Sequence, residues 1–481
     1  MVEADFTRGI LRDEPRSSIP VGGLYDCLDF IIDQRNLARE RGGTTYSGAA
    51  LGANSYAASC FYADFSTGGK LVAVADNGHL FEVAGSSTDR ATLGSTFLPV
   101  DTHKMVSDLV VLPSNDGTTA PKKGYISGGT LTGAAIGGSP PAGKFVEVYY
   151  SRIVLAGVAA TPRRVFFSPI PNVESTWDTT NSYVDAGHNV TGLCALKGAL
   201  LVFSDGHMER IAGTTPPPES DMSIVTIDNY GCIDARSIAT YNNTCIFANK
   251  AGVYLTNGVS FDTLTERPDG SGIGTYWRSL MSSYSASTWT VAGGVFPDYD
   301  DYVVCVMNGT TLIDTLVCHI PSRQWRRLGN VKAKGFSTQF GSTSELHYAD
   351  AASPRVIGLV STYVKSATVK NDANGTAVAG TLEYRMVGQG IGLKAYLDGR
   401  LNFDLRDAAS DNPTLAVQIA TGVGADTYAA VTESPLSETS TATRKGFTVS
   451  KDAQSVNVKL IRAAAASKAE IYGLEDRKSV V

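Results

Sequence analysis

The chain has 481 residues, of which 43% are hydrophobic and 18% charged, with 49 glycines, 21 tyrosines and a formal net charge of −6. That length exceeds one ordinary core and predicts two or three domains, and the balance excludes a disordered or fibrous chain. Mild acidity and the lack of a basic tail disfavour a protein that grips nucleic-acid phosphates, although an acidic wall can surround DNA without adhering to it.

Residues 1–54 read as an extended arm. Asp13-Glu14-Pro15-Arg16, Ile19-Pro20-Val21-Gly22-Gly23 and Arg41-Gly42-Gly43 are turn-rich, with a short helix-compatible segment near 33–39. The first eight residues contain no basic segment followed by an apolar run, so no signal peptide is expected. No apolar run approaches the ~18 residues that span a bilayer, so no membrane anchor is expected.

Strand patterns begin near Tyr56, and one of them recurs. Residues 71–86 form an apolar run, Asn77-Gly78, a second run and a closing glycine; residues 200–214 repeat this around Asp205-Gly206. Asn-Gly and Asp-Gly accept the positive φ of a type I′ turn, so each copy is a predicted hairpin. More degenerate copies surround Gly252 and Gly309, and Arg152–Gly157 leads through Pro162 into a further run ending at Ser168. Gly78, Gly206, Gly252 and Gly309 are therefore the expected structural turns. A hairpin cannot bury its own apolar face, and copies at intervals of ~40–50 residues stack as propeller blades. The pattern predicts an irregular β-propeller of six or seven blades over 55–360.

Within that span, 113–144 is rich in Gly, Ser, Thr, Pro and Ala and reads as an insertion loop or a weakly paired ribbon. The run of three prolines within 214–220 reads as a stiff connector. From 361 to 481 the texture changes: 381–386, 401–405, 414–419, 446–449 and 456–460 alternate with period two, which predicts a C-terminal β-sandwich. The fold class is all-β, with an N-terminal arm, a propeller and a sandwich.

Catalytic motifs are missing. Gly68-Gly69-Lys70-Leu71 lacks the spacing and hydroxyl of a phosphate-binding loop, and neither a nucleophile elbow nor a zinc-protease helix occurs. His79 and His207 hold equivalent places in the two best hairpin copies, where turn preference explains them better than metal binding. Asp298-Tyr299-Asp300-Asp301 is the densest acidic cluster; it could hold Ca²⁺ or supply half a glycosidase pair, but a solvated loop is the simpler reading. Arg323-Gln324-Trp325-Arg326-Arg327 could stack and neutralise a nucleic acid, against the simpler reading of a tryptophan covered by arginine stems. Cys27, Cys60, Cys194, Cys232, Cys245, Cys305 and Cys318 are odd in number, never in a C-x-x-C pair and mostly inside β runs. They read as reduced core residues. No catalytic residue, cofactor or metal site is expected.

Several runs carry a family texture. Arg164-Val165-Phe166-Phe167-Ser168-Pro169-Ile170-Pro171 with Trp177, then Val190-Thr191-Gly192-Leu193, precede Ile227–Ile238 and the Gly252-Val253-Tyr254 turn; His319–Leu328 closes a later repeat. With the turns of the arm, these resemble the propeller-containing tail nozzle, or packaged-DNA stabilisation hub, of short-tailed bacteriophages, over roughly residues 10–340. The resemblance implies a non-enzymatic virion protein of the tail, assembled in the host cytoplasm. It implies a homo-oligomer, a hexameric ring beneath the portal and adaptor, with tail-fibre or tail-tip proteins as further partners. DNA would pass without sequence-specific binding. The rival readings are a propeller enzyme that degrades glycan and a monomeric host-binding protein of the tail tip.

Overall fold

The computed structural model describes residues 6, 8–13, 19–20, 23–32, 38–41, 43–52, 55–94, 103–340, 344–359, 372–373 and 378. Further on it describes 380–387, 394–404, 414–421, 428–430, 436–437, 444–453, 455–462 and 470–478.

Among the described residues, seven four-stranded antiparallel units follow one another around a central cavity. Blade 1 is Ala57–Phe65, Gly68–Ala75, His79–Val83 and Thr88–Thr92; blade 2 is Lys104–Val106, Leu109–Leu112, Lys122–Ser127 and Thr130–Ala135. Blade 3 runs from Phe145–Tyr149 to Tyr183–Asp185, blade 4 from Val190–Leu196 to Ser223–Asp228, and blade 5 from Ala239–Tyr241 to Phe261–Thr263. Blade 6 comprises Trp289–Phe296, Asp301–Asn308, Thr311–His319 and Gln324–Arg327. Blade 7 takes Ala333–Gln339, Glu345–Asp350 and Val356–Gly358, and borrows its fourth strand from the N-terminal segment, where Thr45 and Tyr46 pair with Gly358 and Ile357. Six of these units are separate sheets; blade 6 continues into a larger one. A nearly all-β propeller is the architecture that the recurring hairpins predict.

The apolar runs are continuous because a blade is covered on both faces. In blade 4, Leu200 and Val202 join a cluster with Val154 and Val165 of blade 3, while Leu201 and Phe203 join one with Cys245 and Phe247 of blade 5. Successive strand residues point to opposite faces, so one tetrapeptide fills two cores. Burying each such side chain contributes about 1.5–3 kcal/mol. Blade 1 does the same, Val72 and Val74 facing blade 2 and Leu71 and Ala73 facing the blade 7 side.

The Gly-rich stretch 113–144 is not an insertion loop. Its middle is the outer hairpin of blade 2, Lys122–Ser127 paired with Thr130–Ala135 in register from Lys122↔Ala135 to Ser127↔Thr130.

The N-terminal segment is likewise more than an arm. Gly23–Leu28 pairs with Gly380–Val387 on one side and meets Gln324–Arg327 of blade 6, in parallel, at Leu28↔Arg327. Gly380–Val387 continues through Ser455–Arg462 to Thr414–Thr421, so the outer strand of blade 6, the N-terminal strand and one C-terminal sheet form a single sheet. The second C-terminal sheet runs Phe30–Ile32, Ala38–Glu40, Glu470–Lys478, Lys394–Asp404, Arg444–Ala453. Phe30 and Ala38 of the second sheet share a cluster with Leu382, Leu415, Val417, Val458 and Leu460 of the first, the face-to-face contact of a sandwich. The alternating runs 381–386, 414–419, 446–449 and 456–460 fall within these C-terminal strands, as do residues 401–404 of the fifth, whose last residue lies outside the described residues.

Candidate functional site

The first strand of each blade lines the central cavity, whose volume is about 420 Å³. Charged side chains collect where these strands begin: Lys104 opens the first strand of blade 2, Arg236 lies in the short turn before blade 5, and Lys334 is the second residue of its strand in blade 7. Lys104 Nζ sits 2.9 Å from the buried Glu147 carboxylate of blade 3. Burial opposes the charge on Lys104, but Glu147 more than offsets this and raises its pKa. Arg236 holds Asp234 through two nitrogens at 2.9 and 2.8 Å, and Asp234 also accepts from Val291 N at 2.9 Å. His103 stacks on Phe61 with ring centroids 4.5 Å apart, and burial pushes its pKa down to about 3, so the ring is neutral. The cavity wall thus carries the Lys104, Arg236 and Lys334 cations together with the Glu147 carboxylate. Nothing local in the sequence singles these residues out, because they come from different blades and only closure of the ring places them around one cavity.

The residues that the sequence marks lie elsewhere. Gly78, Gly206 and Gly309 take φ of 78°, 80° and 59° in the turns between the second and third strands of blades 1, 4 and 6. Gly252 occupies the same station in blade 5 without a positive φ; there a Cβ would stand 2.5 Å from Thr265 Oγ1, so close approach is what requires glycine. His79 bonds Asp89 through Nδ1 at 2.7 Å, whereas His207 stacks on His188 at 3.9 Å. Both belong to third strands, away from the axis.

The acidic cluster is dispersed by its own partners. Asp298 accepts from Ser344 N at 2.8 Å, Asp300 from Tyr241 Oη at 2.7 Å, and Asp301 is buried against Arg326. The arginine cluster is equally committed: Arg323 pairs with Asp262, and Arg327 with Asp314 and Asp26. Trp325 is 1% exposed and donates to Leu264 O at 2.7 Å, so it has no face to offer a base. All seven cysteines are buried and free. Burial pushes the Cys232 and Cys305 thiols up to about 12, far from a reactive thiolate at neutral pH. Among the described residues no three His, Cys, Asp or Glu side chains converge as metal ligands, and no helix is long and apolar enough to cross a membrane.

No protein-family model matches the chain, and no curated protein matches it. Solved structures that it resembles include BBS1N in complex with ARL6DN, at 10% identity and a TM-score of 0.39, covering 66% of this chain and 96% of that one. The AfRom2 CNH domain is similar at 11% identity and a TM-score of 0.37, over 66% and 98%.

Proposed function

We propose that this chain is a non-enzymatic structural protein of a bacteriophage tail, a subunit of a nozzle or hub ring below the portal and adaptor through which DNA is retained and released. The reading starts from the resemblance of 164–171, 190–193, 227–238 and 319–328 to tail nozzle and hub proteins. The observation that carries its non-enzymatic part is the commitment of the reactive groups: Asp298, Asp300 and Asp301 each serve a separate structural partner. A glycosidase needs two carboxyl groups facing one sugar at a separation of ~5–10 Å, each with its charge state set for the task. The net charge of −6 suits a conduit, since fixed cations would hold phosphates and retard DNA, whereas like charge keeps a duplex off the wall.

Assembly is the property to test. Native mass measurement of the purified chain, with particle imaging of the virion, should give a closed ring with six-fold symmetry on the tail axis. A stable monomer both free and on the particle would exclude the ring, and release of reducing ends from envelope glycan by the purified chain would exclude a purely structural role.

A further inference from the structure

We propose that Cys194 and Cys245 are a peroxide-reactive thiol pair, which hydrogen peroxide entering the central cavity converts into a disulfide between blades 4 and 5. Strand alternation turns the two side chains towards each other. Cys194 follows Leu193, which packs against blade 3, so it faces blade 5. Cys245 precedes Ile246, which packs on the blade 6 side, so it faces blade 4. Both therefore enter the core that Leu201 and Phe203 share with Phe247 and Tyr254. There Cys245 hydrogen-bonds the Cys194 side chain, and the Lys104 ammonium, 2.9 Å from Glu147, acts on both sulfurs.

Access and pairing separate these two from the other five cysteines. Cys60 and Cys194 line the cavity, where a small oxidant can reach them. Cys60 faces Gly335 O at 4.0 Å, and burial alone pushes its pKa up, so no second thiol bears on it. Cys232 shares the blade 4–5 core, but its Sγ is held by Asp234 O at 3.0 Å and Ser237 Oγ at 3.4 Å. Burial, and next the Cys194 thiol itself, hold the Cys245 pKa up, so Cys194 reacts first and Cys245 second. The Cys194 sulfur attacks one peroxide oxygen; the O–O bond breaks, and the thiol proton leaves with the other oxygen as water, giving a sulfenic acid. Cys245 then attacks that sulfur; the S–S bond forms, the S–O bond breaks, and the hydroxyl departs with the Cys245 proton as a second water. Two thiols lose two electrons, and one hydrogen peroxide takes them up.

The test treats the native full chain with hydrogen peroxide, alkylates the remaining thiols in urea and maps the peptides without reduction. Two of the seven thiols should disappear, and the peptides holding Cys194 and Cys245 should run as one species that dithiothreitol separates. The cross-linked chain should unfold at a higher temperature than the reduced one, because the bond restricts the unfolded state. Cys194→Ala should lose no thiol to peroxide, whereas Cys232→Ser should still form the link. Seven free thiols in the treated parent would overturn the proposal, and that result does not depend on any variant folding. So would a link from Cys232 to Cys245, or oxidation that stops at a sulfinic acid on Cys194.

Discussion

Arg41 shows how one side chain can decide the stability of a junction. It is fully buried and gives Nε to Asp29 at 2.6 Å, Nη1 to Asp372 at 2.7 Å and Nη2 to Gly329 O at 2.9 Å. Burial raises the Asp29 pKa despite this partner, and Arg41 is the group that counters it. Three parts of the chain meet here: the N-terminal segment, the link between blades 6 and 7, and the approach to the C-terminal strands. Arg41→Met would leave two buried carboxylates without their cation, so urea unfolding should show a loss of about 3–5 kcal/mol. Arg41→Lys should recover little, because one ammonium cannot reproduce the planar fork. His347 governs a second junction, where Nδ1 meets Ser47 Oγ at 2.8 Å and Nε2 meets Gln339 Oε1 at 2.9 Å. Burial pushes its pKa down to about 4. Below an unfolded value of about 6.5 the unfolded chain binds the proton that the folded chain refuses, so stability is present above that pH and is lost as pH falls towards 4. Unfolding curves between pH 7 and 4 should show this slope, worth up to about 3 kcal/mol, and His347→Gln should flatten it.

At the scale of elements, the helix Gly274–Met281 between blades 5 and 6 depends on a residue far away in sequence. Asp13 accepts from Gly274 N at 2.5 Å, Thr275 N at 2.6 Å and Tyr276 N at 3.3 Å, filling the place of a cap that Ile273 cannot supply. The N-terminal amides of a helix lack internal partners, and a carboxylate there also meets the positive end of the dipole. Asp13→Ala should cost about 0.5–2 kcal/mol and Asp13→Asn distinctly less. Hydrogen exchange of the amides in 274–281 should accelerate first, which reads the cap directly. No local pattern reveals this arrangement, since Ile273 gives no helix-start signal and its substitute, Asp13, lies 261 positions from the Gly274 amide that it accepts from. Blade 2 was obscured for a different reason. Gly124 pairs with Gly133, and a Cβ on Gly133 would stand 2.8 Å from Ala91 and 2.9 Å from Leu93 of the neighbouring blade. Small residues there permit two sheets to approach, yet in sequence the same composition looks like a loop. The blade 4 hairpin was legible because its turn and its apolar runs are local features.

Over the whole molecule, the propeller and the C-terminal sandwich are not independent bodies. One cluster joins Val291, Val304 and Trp325 of blade 6 with Trp277 of the helix, with Phe6, Leu24 and Cys27 of the N-terminal segment, and with Leu382, Val417 and Leu460 of the sandwich. This wiring was not readable in the sequence. The N-terminal strands are short, and their partners lie about three hundred residues away or more, so neither periodicity nor turn chemistry records them. In sequence, segment 1–54 therefore reads as an extended arm. Its described residues instead close blade 7, join the sandwich to blade 6 and bury Phe6, Leu24, Cys27 and Phe30 in the subunit's own core. Deleting residues 1–46 should therefore do more than block assembly. It removes the fourth strand of blade 7, the strand between blade 6 and the sandwich, and the Arg41 fork at once. The truncated chain should lose the cooperative thermal transition of the full chain and expose apolar surface to a hydrophobic dye. In the full chain, Trp325→Ala should lower the unfolding midpoint of propeller and sandwich together, because it opens a cavity in the cluster they share. Calorimetry resolving two transitions, with only one moved by Trp325→Ala, would show instead that the two bodies fold apart.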